Sequence, residues 1–332
     1  MCGHNPDCVA FEMMSLKVPV VGTNWLTLRR YRVIAWVAFA SLYVIIITGS
    51  LVRLTGSGLG CVDWPACNEK RFVDVSSPHA AIEQVNRLFT GVVAASVIAA
   101  MAAAFAVRPR SARLVRLAGL MVLGVVGQVV LGGIVVLTGL HPLSNMGHYL
   151  LSIVLMTWAF WLVRGISISS HGESAPLASW RTLLERQAWA LSAESRIAAL
   201  GRYALVLTGF AIVTGTVVTG AGPHAGDELA PRFDLVLAVA ARIHSVSVIA
   251  TVSAAVLLGL ALRRQVRQQR HIAVAWEIFL VLAILQGGLG YWQYFTGVPI
   301  LLVAIHIAGS VAVWLAALNL VAQAQSRPSL DK

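Results

Sequence analysis

Charge is what this chain has least of: Asp, Glu, Lys and Arg make up 12% of its 332 residues, against about a quarter in an ordinary soluble domain. Hydrophobic residues reach 58% and the mean hydropathy is +0.78, which excludes a soluble globular domain of this length. Residues 1–30 lack an apolar stretch long enough for a signal peptide, so they read as a cytoplasmic tail. Cysteine is scarce too. Of the four, Cys2 and Cys8 sit near His4 at a spacing that matches no zinc pattern, and reduced cytoplasmic thiols are the plainer reading.

The abundance is apolar residues in long runs. Crossing a hydrocarbon core takes about 20 mostly apolar residues in a helix, because every backbone group must be satisfied within the segment. That ruler predicts eight spans, at 33–53, 82–106, 114–137, 144–163, 203–221, 236–262, 273–294 and 299–321. The expected fold class is therefore an all-α polytopic membrane protein. Lys and Arg cluster before span 1 (Arg29, Arg30, Arg32), between spans 2 and 3 (Arg108, Arg110, Arg113), between 4 and 5 (Arg164, Arg181, Arg186, Arg196, Arg202) and between 6 and 7 (Arg263, Arg264, Arg267, Arg270). The positive-inside rule then puts both termini in the cytoplasm, at the cell membrane. It also makes the net charge of +11 a topology signal, with no nucleic-acid partner implied.

The segment Gln128 to Ser152 recurs as Gln286 to Ser310. Gln128, Leu131, Gly132, Thr138, Gly139, His148 and Ser152 reappear as Gln286, Leu289, Gly290, Thr296, Gly297, His306 and Ser310, each displaced by 158 positions. The same displacement sets Asn86 against His244 and Glu83 against Ala241. An even number of spans per repeat implies a parallel repeat about an axis along the membrane normal. Two four-helix bundles side by side follow, each able to hold a cofactor between facing helices. The expected divisions are a tail at 1–30, an N-terminal half at 31–166, a cytoplasmic linker at 167–202, a C-terminal half at 203–322 and a tail at 323–332. Within the linker, Trp180, Leu184 and Leu191 pattern as a short amphipathic surface helix.

Three histidines share one depth. His148, His244 and His306 each lie six to eight residues into their spans, about 10 Å below the outer surface. Paired imidazoles at equal depth on facing helices suit axial coordination of a haem iron, and His244 with His306 is such a pair. The other histidines, His141 and His224 included, fall in loops, tails or helix ends. Arg53 and Arg242 lie near the same depth and could meet haem propionates or snorkel to the interface.

The two halves are chemically unequal. Glu83 and Asn86 lie one turn apart at the start of span 2, and Glu83 either pairs with Arg87 at the interface or directs a carboxylate into the bundle. Cys61 and Cys67 flank Trp64-Pro65 in the loop after span 1. They can close a small disulfide ring, structural or redox-active, or remain two thiols. The corresponding loop of the second half, TGAGPHAGD, has no cysteine.

The run GSLVRLTGSGLGC-x-x-WP-x-C leading into a Glu-x-x-x-Arg helix start, with the duplicated eight-span layout and the late LLVAIHIAGS, resembles the haem A synthase family across nearly all of residues 30–322. That resemblance implies oxidation of a methyl group of haem O to a formyl group, giving haem A for cytochrome c oxidase. It implies a haem b held by His244 and His306, and haem O as the substrate of the first half, where Glu83 is the expected catalytic residue and His148 an iron ligand. Haem O synthase and an electron donor are the implied partners. The sequence departs from the family where Asn86 replaces the His of Glu-x-x-His, since a neutral amide is a poor iron ligand. One histidine in the first half leaves an open iron position beside a carboxylate. A membrane b-type electron-transfer cytochrome or a haem transporter are the alternatives, although neither needs Glu83 or the cysteine loop.

Overall fold

The computed structural model describes residues 26–108, 110–169, 193–263 and 269–325. Eight helices fill them: α1 (Leu28–Leu54), α2 (Pro78–Ala106), α3 (Ala112–Leu137), α4 (Pro142–Ser169), α5 (Ala193–Ala221), α6 (Leu237–Leu262), α7 (Arg270–Phe295) and α8 (Ile300–Gln325). All eight are long and apolar enough to cross a bilayer, so the chain is an all-helical polytopic membrane protein. Cys2, His4, Cys8 and the amphipathic pattern at Trp180, Leu184 and Leu191 lie outside the described residues.

Six of the eight helices begin earlier than hydropathy predicts, and local chemistry explains two of these starts. Thr27 caps α1 by accepting the Arg30 amide on its Oγ1, so the basic turn Arg29, Arg30, Arg32 is helical although it is not apolar. Ser77 caps α2 in the same way through the Ala80 amide, and Pro78 follows at the first helical position, where its missing N–H has no cost. The largest difference is α5, which starts at Ala193 rather than 203 and takes in Glu194, Arg196 and Arg202. A hydropathy window stops where charge begins, whereas a helix stops only where its hydrogen bonds are capped.

Helices α1 to α4 pack as a closed set, α1 on α2, α2 on α3, α3 on α4 and α4 back on α1; α5 to α8 repeat that order. The sets meet through α1 on α8, α4 on α5 and α4 on α8, leaving α2, α3, α6 and α7 on the periphery. Between them, the Tyr43 hydroxyl donates to the Ala308 carbonyl, the hydroxyls of Tyr149 and Ser310 share a hydrogen bond, and the Trp314 indole donates to Thr157 Oγ1. In an apolar layer such bonds fix the relative register of two bundles that Leu and Val packing alone would let slide. The α3–α4 and α7–α8 turns are built alike: Gly139 and Leu140, like Gly297 and Val298, adopt left-handed backbone, and the Leu140 and Val298 amides reach back to Val135 and Gln293. Glycine supplies the first of those two positions without steric cost.

The sets differ in one connection. Between α1 and α2 run 23 residues, and between α5 and α6 run 15. The eight extra residues account for the register of Thr48-Gly49, which recurs as Thr214-Gly215 at a displacement of 166 instead of 158. This longer loop carries Cys61 and Cys67.

Candidate haem-binding sites

The end of the bundle that carries the 55–77 loop also carries the titratable residues singled out from the sequence. His148 and His306 lie six residues beyond the starts of α4 and α8, His244 seven beyond the start of α6, and Asn86 eight beyond the start of α2. At 1.5 Å per residue all four sit roughly 10 Å along their helices from that end.

In the second half the structure brings two of them together. The rings of His244 and His306 meet edge-on, with centroids 6.4 Å apart and planes at 84°. One iron bound by a nitrogen from each side at about 2.0 Å would set the ring centres roughly 6 Å apart, so the spacing fits a metal between two imidazoles. His244 Nδ1 shares a hydrogen bond with Thr214 Oγ1 at 3.1 Å, and Thr214 Oγ1 is in turn 3.0 Å from Ser247 Oγ. A partner on Nδ1 fixes the ring and leaves Nε2 available to a metal, the arrangement common among metal-bound histidines. His306 is positioned through its backbone, with Gln286 Nε2 donating to the His306 carbonyl at 2.5 Å.

Each histidine lies against a glycine of a neighbouring helix. A Cβ built on Gly215 would lie 3.1 Å from His244 Cε1, and one on Gly290 would lie 3.2 Å from His306 Cε1. Both contacts are tighter than ordinary packing permits, so the absence of a side chain is what gives the rings their place. The first half repeats the construction more loosely. Gly132 would approach His148 Cε1 to 3.6 Å, and Gly49 would approach Asn86 Nδ2 to 3.9 Å. Gln128 Nε2 donates to the His148 carbonyl at 3.0 Å and to Ser152 Oγ at 2.7 Å, as Gln286 does opposite His306. His148 Nδ1, His306 Nδ1 and Asn86 Oδ1 are buried atoms without a hydrogen-bond partner among the described residues.

Glu83 is 5% exposed and fully engaged. Arg87 Nε and Nη2 both donate to Oε1, and the Cys61 amide donates to Oε2 at 2.8 Å. Pairing with Arg87 is therefore present, but inside the protein rather than at an interface. Arg87 carries the loop further: Nη1 donates to the Asp63 and Ala66 carbonyls and Nη2 to that of Cys61, while the guanidinium stacks 5.3 Å from the Trp64 ring. Cys61 and Cys67 are bridged, with S–S 2.02 Å, and both are buried. The disulfide thus sits in a loop clamped onto α2 next to Glu83. Trp64 packs on α3 where Gly133 leaves room; a Cβ there would be 2.6 Å from Trp64 Cδ1. The outer part of the loop is anchored by Asp74. It accepts from the Ser76 amide and Asn68 Nδ2, and hydrogen bonds from Ser76 above all hold its carboxyl down at about 2, so this anchor is charged throughout the ordinary pH range.

The remaining candidates take structural places. Arg53 Nη2 donates to the Thr219 carbonyl across the two sets, Arg242 is exposed, and His224 Nε2 is bonded to the Val298 carbonyl in the α7–α8 turn. His141 Nδ1 accepts the Leu143 amide at the start of α4. Thr214 and the ring-facing glycines are site residues that the motif reading left without a role, and Arg87 was read only as a partner for Glu83. Gln128 and Gln286 were visible as repeat markers whose function only the packing reveals.

The sequence matches the family model described as cytochrome oxidase assembly protein over residues 32–79 and 70–318. It is also similar to a haem A synthase of Lysinibacillus sphaericus (strain C3-41), 39% identical over 71 residues. That alignment spans 20% of this chain and 23% of the relative's length.

Proposed function

The chain belongs to the cytochrome oxidase assembly protein family, and on that premise we propose that it is a haem A synthase, a membrane oxidoreductase that converts a methyl group of haem O to the formyl group of haem A. The observation that carries the reading is the edge-on pair His244 and His306, whose 6.4 Å centroid spacing suits one iron. In this reading the two imidazoles hold a haem b, which when bound supplies electron transfer within the membrane. Thr214 orients the His244 ring, and Gly215 and Gly290 keep the space that the rings need.

The substrate haem O belongs to the first half, with His148 as its iron ligand. Gln128 holds the His148 backbone, and Gly132 leaves room beside the ring. Glu83 is the proposed catalytic carboxylate. Removing electrons from a ring methyl builds positive charge on that carbon, and a buried carboxylate nearby stabilises the charge or takes the departing proton. The low exposure of Glu83 and its place one turn from Asn86 support that role. Arg87 and the Cys61 amide fix the carboxylate in place while the disulfide loop covers it from water. Both termini are cytoplasmic in this reading, as the Arg-rich connections require. Haem O synthase and an electron donor are the partners it implies.

Pigment analysis of cells lacking the protein is the test. Accumulation of haem O with loss of haem A is expected. Unchanged haem A would overturn the enzyme reading in favour of a b-type electron-transfer cytochrome or a haem transporter.

A further inference from the structure

Asn86 occupies the register of a histidine but cannot act as one. It stands 158 positions before His244, and it lies beside Gly49 as His244 lies beside Gly215. Its amide has two N–H donors and an acceptor oxygen, and as a neutral oxygen or nitrogen ligand it is poorly matched to iron. Its Oδ1 is nevertheless buried and has no hydrogen-bond partner among the described residues. A buried amide left unpaired is costly, so it marks a place where the partner comes from outside the chain. His148, across the same helix set, also has a buried atom without a partner among the described residues, its Nδ1. In the second half the equivalent pair of positions holds two imidazoles that meet edge-on.

Resting on the assignment of the first half to the substrate haem, we propose that its iron is held by His148 alone, and that the Asn86 amide lines the open side of that iron, its Oδ1 accepting from a bound water and its Nδ2 donating to a small anionic ligand there. The two halves then differ in coordination: the second is closed by His244 and His306, and the first is open opposite His148. Asn86 is a ligand-selecting residue on this account, neither an iron ligand nor a filler.

The test uses the purified full-length protein loaded with ferric protohaem, read by electron paramagnetic resonance with and without sodium azide. Wild type should show a low-spin haem from the second half and a separate high-spin haem that azide converts to low spin. His148→Ala should remove only the high-spin haem. Asn86→His should turn the high-spin signal low-spin without azide and abolish azide binding. Asn86→Leu should keep the high-spin iron but bind azide about tenfold more weakly, the size expected when one hydrogen bond to a charged ligand is lost. In each variant the low-spin signal serves as the control for folding. A wild-type protein with no azide-responsive high-spin haem overturns the proposal, as does an Asn86→Leu protein that binds azide like wild type. The low-spin signal reports separately on the second half, and its absence would overturn ligation by His244 and His306 whatever the first half does.

Discussion

Glu83 and Arg87, one turn apart on α2, form a buried ion pair in which Arg87 makes its other hydrogen bonds to loop carbonyls of Cys61, Asp63 and Ala66. The pair is a clamp as well as a charge. Side-chain exposures of 13% and 7% take it out of the class of surface salt bridges, which contribute little, and into the class whose breakage leaves an uncompensated buried charge. Arg87→Met is therefore expected to cost about 3 kcal/mol and to free the 61–67 loop, whereas Arg71→Ala, whose 3.4 Å contact to Asp74 is at the surface, is expected to cost well under about 1 kcal/mol. Protease sensitivity of the loop in detergent checks the contrast. Equal sensitivity of the two variants would show that Arg87 is not the clamp.

The proposed closed site makes a spectroscopic prediction. Replacing His244 or His306 by Ala should remove the low-spin haem or convert it to high spin, because one axial imidazole is lost. Thr214→Val should retain low-spin haem but lower its affinity by about tenfold or more, the range expected when the partner that orients a ligating histidine is removed. If both histidine variants keep a normal low-spin spectrum, the assignment of that pair fails.

The glycines beside the rings give a graded series. An added methyl at Gly215 or Gly290 meets an imidazole at 3.1 or 3.2 Å, and at Gly132 it meets one at 3.6 Å, an ordinary contact. Gly290→Ala and Gly215→Ala should therefore displace their histidines and lower low-spin haem content several-fold, while Gly132→Ala should leave protohaem retention in the first half near wild type. Haem stoichiometry of the purified variants measures this. A uniform effect at all three positions would point to helix packing in general rather than to room for the rings.

This series also shows where the sequence stopped being legible. Eight apolar runs were readable because the hydrocarbon core demands them, and His148 and His306 because a fixed displacement of 158 marks them twice. The polar first turns of α1 and α5 were not, since a charged turn outside the hydrocarbon is invisible to hydropathy, even where a cap such as Thr27 on α1 starts it. Gly290 was seen as a repeat marker only: which ring a glycine faces depends on which helices are neighbours. Glu83 was legible as an acid with Arg87 in reach, either at the interface or directed into the bundle. That its second oxygen binds the Cys61 amide required the folded path of the loop.

The disulfide follows from that path. Intact protein should show no free thiol at Cys61 or Cys67 until reductant is added, and after reduction the loop should still be held by Arg87 and Asp74. The Asp74 contribution has a definite pH sense. A carboxyl held down at about 2 in the folded loop, against about 3.9 when unfolded, contributes fully above the unfolded value and is lost only as pH falls through about 2. Loop protection in the reduced protein, measured by amide exchange at Ser76, should therefore be unchanged between pH 7 and pH 5. Loss of protection over that interval would show that Asp74 is not the anchor.

The last prediction separates the two roles of Glu83. As the proposed catalytic carboxylate it must be ionised beside the substrate; as a loop anchor it need only accept hydrogen bonds and match Arg87. Glu83→Gln retains an oxygen for the Cys61 amide but removes the charge opposite a buried guanidinium, so this variant alone loses activity under either role. The double variant Glu83→Gln with Arg87→Gln removes both charges together, leaves no buried cation unpaired and keeps an amide donor for the loop carbonyls. If Glu83 only anchors the loop, the double variant should recover haem A formation relative to Glu83→Gln, because replacing a buried pair by neutral groups of similar size costs much less than breaking it. If the carboxylate stabilises the oxidised methyl carbon, the double variant should remain inactive while keeping its low-spin haem and a protected Cys61–Cys67 bridge, and cells should accumulate haem O or an alcohol intermediate. Recovery of haem A in the double variant would remove Glu83 from the chemistry and leave it a structural role in the loop.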